Sequence, residues 1–542
     1  IGQLFQVATF SNRDNSHEKE ILELIRRYHI GGLTFFQGDP LRQAVLTNKY
    51  QLESDVPLFV NIDAEWGLAM RLNGGMQFPY QMALGALKDD TLVADMAACL
   101  ARHCRRLGVQ SPLAPVLDIN NNPKNPVINF RSFGEDREKV ATKAMAFVQA
   151  LQAQNILAVG KHFPGHGDTA ADSHMELPVL LHDLERIQNT ELYPFKKLID
   201  SGIGAIMTAH LQVPSLDNRP NMPATLSERI SGNLLREQLG FKGLVITDAL
   251  DMKGITNHYK PGQADKLALM AGNDIITNSM SVKDGVMEVQ KAIESGELTM
   301  DWLDAKVRRI LGMKAWTGLN NWNPIETEGL LDDLNDDLSV ELNKVLAEKS
   351  ISCIKNSNKK SAYPVHKPIM MASLHIICKG KNQTDKSMDH HLKLMHNSGG
   401  ADHFCNLLQE KTSIKLHFLW DESTGKNALW QIIERLKSFD HVVLAFHGVN
   451  VKPFNRFDIP KKCLKPIAHL FEQNSVSLIV FGNAYALKEI KHHDKAERIL
   501  ITYQESIYTH EAVVKWLDGG IVAEGNLPVS INSTYVAGGD SL

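Results

Sequence analysis

LAVGKHF, residues Leu157 to Phe163, decides the fold. The run is apolar until it reaches Lys161 and His162, and helix-prone sequence precedes it. A strand covered on both faces by crossover helices reads this way, whereas a strand with one wet face alternates. Seven further runs share the pattern: FQVATF up to Phe10, GGLTFFQ up to Gln37, PLFVNIDAE over Pro57 to Glu65, VQSPLAPVLDI over Val109 to Ile119, AIMTAH over Ala205 to His210, GLVITDA over Gly243 to Ala249, and DIITN over Asp274 to Asn278. Stretches such as HEKEILELIRRYH (His17 to His29) and REKVATKAMAFVQALQAQ (Arg137 to Gln154) are long enough to be the crossovers. Eight β/α units over about 300 residues predict an α/β fold, a (β/α)8 TIM barrel. An open doubly wound sheet ranks second, because eight consecutive units of similar length close more naturally than they stay open.

Outward from the barrel, 542 residues are too many for one hydrophobic core. The barrel is expected over residues 1–316, ending in a helix around Trp302 to Met313. Residues 317–340 are polar and acidic and read as a linker. Residues 341–542 alternate again: IMMASLHII (Ile369 to Ile377), IKLHFLW (Ile414 to Trp420), HVVLAFHG (His441 to Gly448), VSLIVFGN (Val476 to Asn483) and RILITYQ (Arg498 to Gln504) are the strands, with helices such as the one beginning at Ala428 between them. This predicts a smaller α/β sandwich. It has no Gly-x-Gly-x-x-Gly after a strand and no phosphate loop, so no nucleotide cofactor is expected.

Composition excludes several classes. Lys plus Arg is 58 and Asp plus Glu is 62, a net charge of -4 without a basic run, so nucleic acid is not an expected partner. No apolar run is long enough for a membrane-spanning helix. The six cysteines form no Cys-x-x-Cys pair and are expected to be buried thiols. The chain begins at Ile1 within helix-like sequence, which predicts a trimmed N-terminus, and it closes in what reads as an unfinished tail. A longer native protein, working in the periplasm, outside the cell or in the cell envelope, is therefore expected. Oligomeric state is not readable.

Barrel enzymes carry their chemistry where strands end. Here the ends supply Asp63 and Glu65, then Asp118 and Asn120, then Lys161 and His162, then His210, then Asp248. The segment after the fifth run, KHFPGHGDTAADSHMELP (Lys161 to Pro178), is densest, with His162, His166, Asp168, Asp172, His174 and Glu176. Its glycines and small residues predict a mobile loop. Asp172 and His174 stand two apart, so the carboxylate can bond the imidazole, fix its tautomer and raise its basicity for proton transfer near neutral pH. A histidine network or a metal site competes with this reading. The first run, ATFSN, lacks the His-x-His expected of a metal-dependent barrel hydrolase, so no metal is expected. Asp248 in VITDALDM can serve as a nucleophile on an anomeric carbon or as a general base. Asp251 is placed later, in the loop or a first helical turn. Asp63 in NIDAEWGLAMR can accept paired sugar hydroxyls, and Arg71 can donate to the same sugar or form a surface ion pair. Arg131 in NFRSFGED and Asp118 are ligands of the substrate or partners of each other.

Together these motifs resemble the bacterial β-N-acetylglucosaminidases of glycoside hydrolase family 3. KHFPGHGDTAADSH is similar to the loop signature of that subgroup, ITDALDM to its nucleophile segment and IDAEWGLAMR to its sugar-binding segment. The resemblance spans the whole barrel, and the second part looks like the accessory α/β sandwich of the family. It implies a two-step retaining exo-glycosidase that removes terminal β-linked GlcNAc from glycans such as peptidoglycan fragments. Asp248 would attack the anomeric carbon, and His174 held by Asp172 would replace the usual acid/base carboxylate. Asp63, Arg71, Asp118, Arg131, Lys161, His162 and His210 would hold the sugar. Phosphorolysis is the alternative, since an imidazole puts no second anion beside an anionic acceptor. A metal-dependent hydrolase and a non-catalytic sugar-binding module rank lower. Two departures, Glu65-Trp66-Gly67 and Ala249, bear on specificity and loop packing more than on the nucleophile.

Overall fold

The computed structural model describes residues 1–170, 172, 176–357, 370–378 and 399–538. By packing, the chain divides into two compact units. The first contains Ile1–Phe78, Val93–Ile128 and Arg137–Ser339; the second contains Pro79–Leu92, Asn129–Asp136 and Val340–Leu542. The stretch expected to be a linker thus packs with the first unit as far as Ser339, and two excursions from the barrel sequence belong to the second.

The first unit is a parallel barrel with strands β1 (Phe5–Thr9), β2 (Gly32–Phe35), β3 (Phe59–Ile62), β4 (Val159–Phe163), β5 (Ala205–Thr208), β6 (Leu244–Thr247) and β7 (Ile276–Thr277). One sheet runs β3-β2-β1-β7 and another β4-β5-β6. They join at both seams. Ile246 pairs with Ile275 between β6 and β7, and the fourth predicted run bridges the other gap through Asn61 with Ser111 and Val116 with Lys161. That run is not the continuous strand expected. Pro112 and Pro115 carry no N–H for a ladder, and Leu113 adopts a φ of 45°. Its carbonyls still serve: Ala64 N donates to Pro112 O at 2.9 Å and Val159 N to Ala114 O at 2.8 Å. The ring therefore closes through eight positions, and the expected (β/α)8 architecture holds.

The second unit has a six-stranded sheet, with β8 (Ser352–Asn356), β9 (Met371–Ile377), β10 (Leu416–Trp420), β11 (His441–His447), β12 (Ser475–Val480) and β13 (Arg498–Ile501) in the order β10-β9-β11-β12-β13-β8. All neighbours are parallel except the β13–β8 edge. Alternate residues feed two apolar layers: Val442, Leu444 and Phe446 of β11 join one, Val443 and Ala445 the other. An αβα sandwich follows from that two-sided burial. All six cysteines are free and buried. No helix among the described residues is long and apolar enough to cross a membrane.

Candidate active site at the strand ends of the barrel

Asp63 follows β3 directly, and Arg71 follows a short 3-10 turn, Leu68–Met70. Arg71 donates to Asp63 Oδ2, and its guanidinium lies 4.8 Å from the centroid of the Phe36 ring. On the other side Lys161 Nζ reaches Asp63 Oδ1 at 3.2 Å and Glu65 Oε1 at 2.8 Å. Lys161 and Glu65 are only 2% and 0% exposed, whereas Asp63 and Arg71 each keep 17%. Burial acts to raise the Asp63 pKa, but Lys161 and Arg71 outweigh it and hold the carboxyl well below the usual range. Asp63 is therefore a fixed anion with one side towards solvent. Glu65 is a site member that the strand-end reading named but did not place in the sugar pocket. Only its pairing with Lys161, ninety-six positions away, reveals it.

Asp118 is fully buried at the end of the fourth barrel position. His162 Nδ1 lies 2.7 Å from Oδ2, and the backbone N–H of His166 donates to Oδ1 at 2.6 Å. Burial favours the neutral acid, yet His162 and His166 bring the pKa below its ordinary value. The carboxylate thus fixes two histidines of the loop at once.

The segment expected to be mobile is packed in its first half. Residues 161–167 and Thr169 are buried. Asn125 donates from Nδ2 to the carbonyls of His166 at 2.8 Å and Gly167 at 2.9 Å. The glycines serve close approach. A Cβ on Gly167 would lie 1.8 Å from the Ile119 carbonyl oxygen, and one on Gly165 would lie 2.7 Å from Glu191 Cβ. Asp168 is tied to His182 at 2.7 Å. Asp172 is half-buried, and its carbonyl accepts from Glu176 N at 3.1 Å. His174 lies outside the described residues.

His166 was not among the expected sugar-holding residues. Its Nδ1 lies 2.7 Å from Thr169 Oγ1, and its buried Nε2 has no hydrogen-bond partner among the described residues. Burial pushes its pKa down to about 4, against the pull of Asp118 and of Asp248. That second pull places Asp248 within electrostatic reach of the loop after β4. Asp248 itself directly follows β6. Its backbone N–H donates to Thr208 O at 3.0 Å, and its Oδ1 accepts from Ala249 N at 2.8 Å. His210, fully buried, lies 2.9 Å from Thr225 Oγ1 through Nδ1 and 2.8 Å from the Ala249 carbonyl through Nε2. Since a carbonyl only accepts, Nε2 carries the proton.

Asp63, Arg71, Asp118, Lys161, His162, Asp172, His210 and Asp248 thus all belong to the barrel unit. Arg131 does not. It closes the 3-10 turn Asn129–Arg131 in an excursion that packs with the second unit. Nothing in NFRSFGED signals this, because the turn reads like any barrel loop.

Residues 1–313 match the family model described as the glycosyl hydrolase family 3 N terminal domain. The β-hexosaminidase A of Pseudoalteromonas piscicida is 36% identical over 327 residues, covering 54% of this chain and 55% of that protein. The β-hexosaminidase LpqI of Mycobacterium tuberculosis is 32% identical over 330 residues, covering 58% and 82%. A solved glycoside hydrolase family 3 β-N-acetylglucosaminidase from Paenibacillus sp. FPU-7 has a TM-score of 0.80 at 28% identity, with 98% of each chain covered. The chain spans little more than half the length of the Pseudoalteromonas relative and 64% of a Cellulomonas fimi β-N-acetylglucosaminidase/β-glucosidase.

Proposed function

This chain belongs to glycosyl hydrolase family 3, and from that premise we propose that it is a retaining exo-β-N-acetylglucosaminidase acting on terminal β-linked GlcNAc. Support for the sugar comes from relatives named β-hexosaminidase and β-N-acetylglucosaminidase. The observation that carries the mechanism is topological. Asp248 follows β6 and the motif loop follows β4, and these strands flank β5 in one parallel sheet, so both lie at the same end of the barrel, which fits a nucleophile and a motif loop that serve one site.

In the first step a carboxylate oxygen of Asp248 bonds to the anomeric carbon as the glycosidic bond breaks, and His174, oriented by Asp172, gives its proton to the leaving oxygen. In the second, water loses a proton to the same imidazole, bonds to the anomeric carbon and releases Asp248. Asp63 is held ionised by Lys161 and Arg71, which suits it to accept from paired sugar hydroxyls. Asp118 presents His162 to the sugar. His210 has both ring nitrogens engaged with Thr225 and Ala249. Its role in this scheme is to brace the Asp248 loop rather than to touch the sugar. Peptidoglycan fragments are the proposed natural substrates, with the cell envelope as the place of action.

Trapping with an activated 2-fluoro glycoside followed by peptide mass analysis tests the assignment. A label on Asp248 is the expected result, and a label on Asp251 or on another acid overturns it. Turnover of an aryl β-GlcNAc with and without inorganic phosphate separates the two acceptors. Free GlcNAc under both conditions supports hydrolysis; GlcNAc 1-phosphate makes the enzyme a phosphorylase.

A further inference from the structure

The second unit contains a group of side chains that the barrel chemistry does not use. Val443, Ala445 and Ile479 contribute to one apolar layer of its sheet. Phe404, on the helix Gly399–Lys411, belongs to the same layer. In a sheet covered on both faces such positions are ordinarily aliphatic. Imidazoles stand instead at His375 on β9, His417 on β10 and His447 on β11, and Cys405 lies one residue after Phe404. His375, Cys405 and His417 each offer one ligand atom, and the three atoms lie within 4.8 Å of one another.

The hydrogen bonds assign the protons along this group. Glu505 accepts from His447 Nδ1 at 2.7 Å, so a neutral His447 presents Nε2 as an acceptor. His375 Nδ1 donates to it at 3.1 Å. His375 Nε2 then accepts from Ser373 Oγ at 2.7 Å. The single hydroxyl proton is thereby used, so His417 Nδ1 donates to Ser373 Oγ at 2.7 Å. That leaves His417 Nε2 as a bare lone pair. It is buried and has no hydrogen-bond partner among the described residues. A buried acceptor left empty costs free energy unless something fills it.

We propose that Cys405, His375 and His417 bind one zinc-class dication in the second unit, with water at the fourth position. One thiolate and two imidazoles suit a borderline-soft ion better than a hard one. Zinc–sulfur and zinc–nitrogen bonds of about 2.3 and 2.0–2.1 Å would draw the three ligand atoms closer than they stand in the empty group. On loading, His375 Nε2 leaves Ser373 for the ion, His417 supplies its lone pair, and the Cys405 thiol releases one proton to solvent. The neighbouring group, His447, Glu505 and His510, is the other candidate. Its carboxylate already accepts from His447 at 2.7 Å, His510 at 3.0 Å and the Gly448 N–H at 2.6 Å, so it is satisfied without an ion. The proposal is independent of the glycosidase reading.

The test uses the full chain stripped with a chelator and titrated with Zn2+ or Co2+. The expected result is one zinc per chain, a raised Tm with added zinc, and a thiolate-to-cobalt charge-transfer absorption. Cys405→Ser should abolish that absorption. His417→Gln should weaken zinc binding at least as much as the roughly 10–100-fold that losing an outer-shell partner costs. Circular dichroism of both variants checks that they are folded. No cobalt–thiolate band in the parent protein overturns the proposal. So does a band or a zinc stoichiometry that survives Cys405→Ser, or one lost in Glu505→Gln but kept in Cys405→Ser.

Discussion

The barrel buries a carboxylate among cations at each of its ends, and the two clusters are built to different purposes. At the N-terminal ends of the strands Asp274 is fully buried, just before β7. Its Oδ1 takes Arg309 at 3.0 and 2.8 Å. Its Oδ2 takes Arg236 and the Val245 N–H, the latter at 3.0 Å. Every lone pair points at a neighbouring element, and each contact staples a helix or strand to the next. At the C-terminal ends Lys161 is shared by Glu65 and Asp63, and Asp63 with Arg71 remains partly exposed. One cluster is closed and the other has an open side. Since barrel chemistry sits at the C-terminal face and the opposite face serves stability, similar ion pairing carries opposite meanings at the two ends.

The largest effect should come from the open end. Asp248→Asn leaves a side chain of the same size, and its backbone bonds to Thr208 and within the turn are unchanged. Turnover of an aryl β-GlcNAc is expected to fall by roughly 10⁴-fold or more, as for other residues that bond to the substrate, with Tm almost unmoved. Residual activity within tenfold of the parent would mean that the nucleophile lies elsewhere.

Breaking one partner in each cluster sharpens the contrast. Lys161→Met removes the cation that faces the buried Glu65, and Asp274→Asn removes the charge shared by Arg236, Arg309 and Lys306. Each should cost about 3–5 kcal/mol, the usual result of removing one partner of a buried ion pair, read as a lowered urea midpoint. The kinetics should separate them. Among molecules still folded, Lys161→Met should raise KM and lower kcat, whereas Asp274→Asn should leave both alone. Equal kinetic loss in the two variants would remove the functional distinction between the ends.

A smaller effect should come from the loop that joins the open end to its scaffold. Gly167→Ala places a methyl 1.8 Å from the Ile119 carbonyl oxygen, so backbone must move. An overpacking cost of about 1–3 kcal/mol is expected. Because His166 and Asp118 lie at the same junction, kcat should fall with it. A variant with full activity and a lowered Tm would show that the junction only holds the fold.

These contrasts bear on how much the sequence revealed. The barrel was legible because strands buried on both faces must be apolar throughout, and seven of the runs became ladders. The fourth did not, since Pro112 and Pro115 cannot donate; the pattern of apolar residues survives where the hydrogen bonds do not. Edge strand β8 was missed because Ser352–Asn356, SCIKN, has too little apolar surface to stand out. Strand ends pointed to Asp63, Glu65, Asp118, Lys161, His162, His210 and Asp248, but the pairing of Glu65 with Lys161 and of His166 with Asp118 joins residues distant in sequence. The glycines of the loop suggested motion, although close backbone approach demands the same residue type. The assignment of 79–92 and 129–136 to the second unit had no local signal at all, for the short helix Gln81–Ala86 and the turn Asn129–Arg131 read like those of the barrel.

The closed cluster can also be read through pH. Lys306 Nζ donates to Asn273 O at 2.6 Å and lies 3.9 Å from Asp274. Burial pushes its pKa from 10.5 down to about 8; Asp274 opposes that shift, and Arg309 and Arg236 add to it. Below pH 8 both folded and unfolded chains hold the proton, and the fold carries the full cost of a buried ammonium. Between about 8 and 10.5 the unfolded chain still binds the proton while the folded one has released it, so stability on this account rises with pH. Lys306→Met removes the titration. The stability of the parent relative to this variant should therefore climb across that interval and level off on either side, when urea midpoints are compared from pH 7 to 10.5. The rim lysine, Lys161, faces two carboxylates where Lys306 faces one among arginines. A flat difference curve would mean that Asp274 compensates Lys306 fully, and burial at the closed end would then carry no titration.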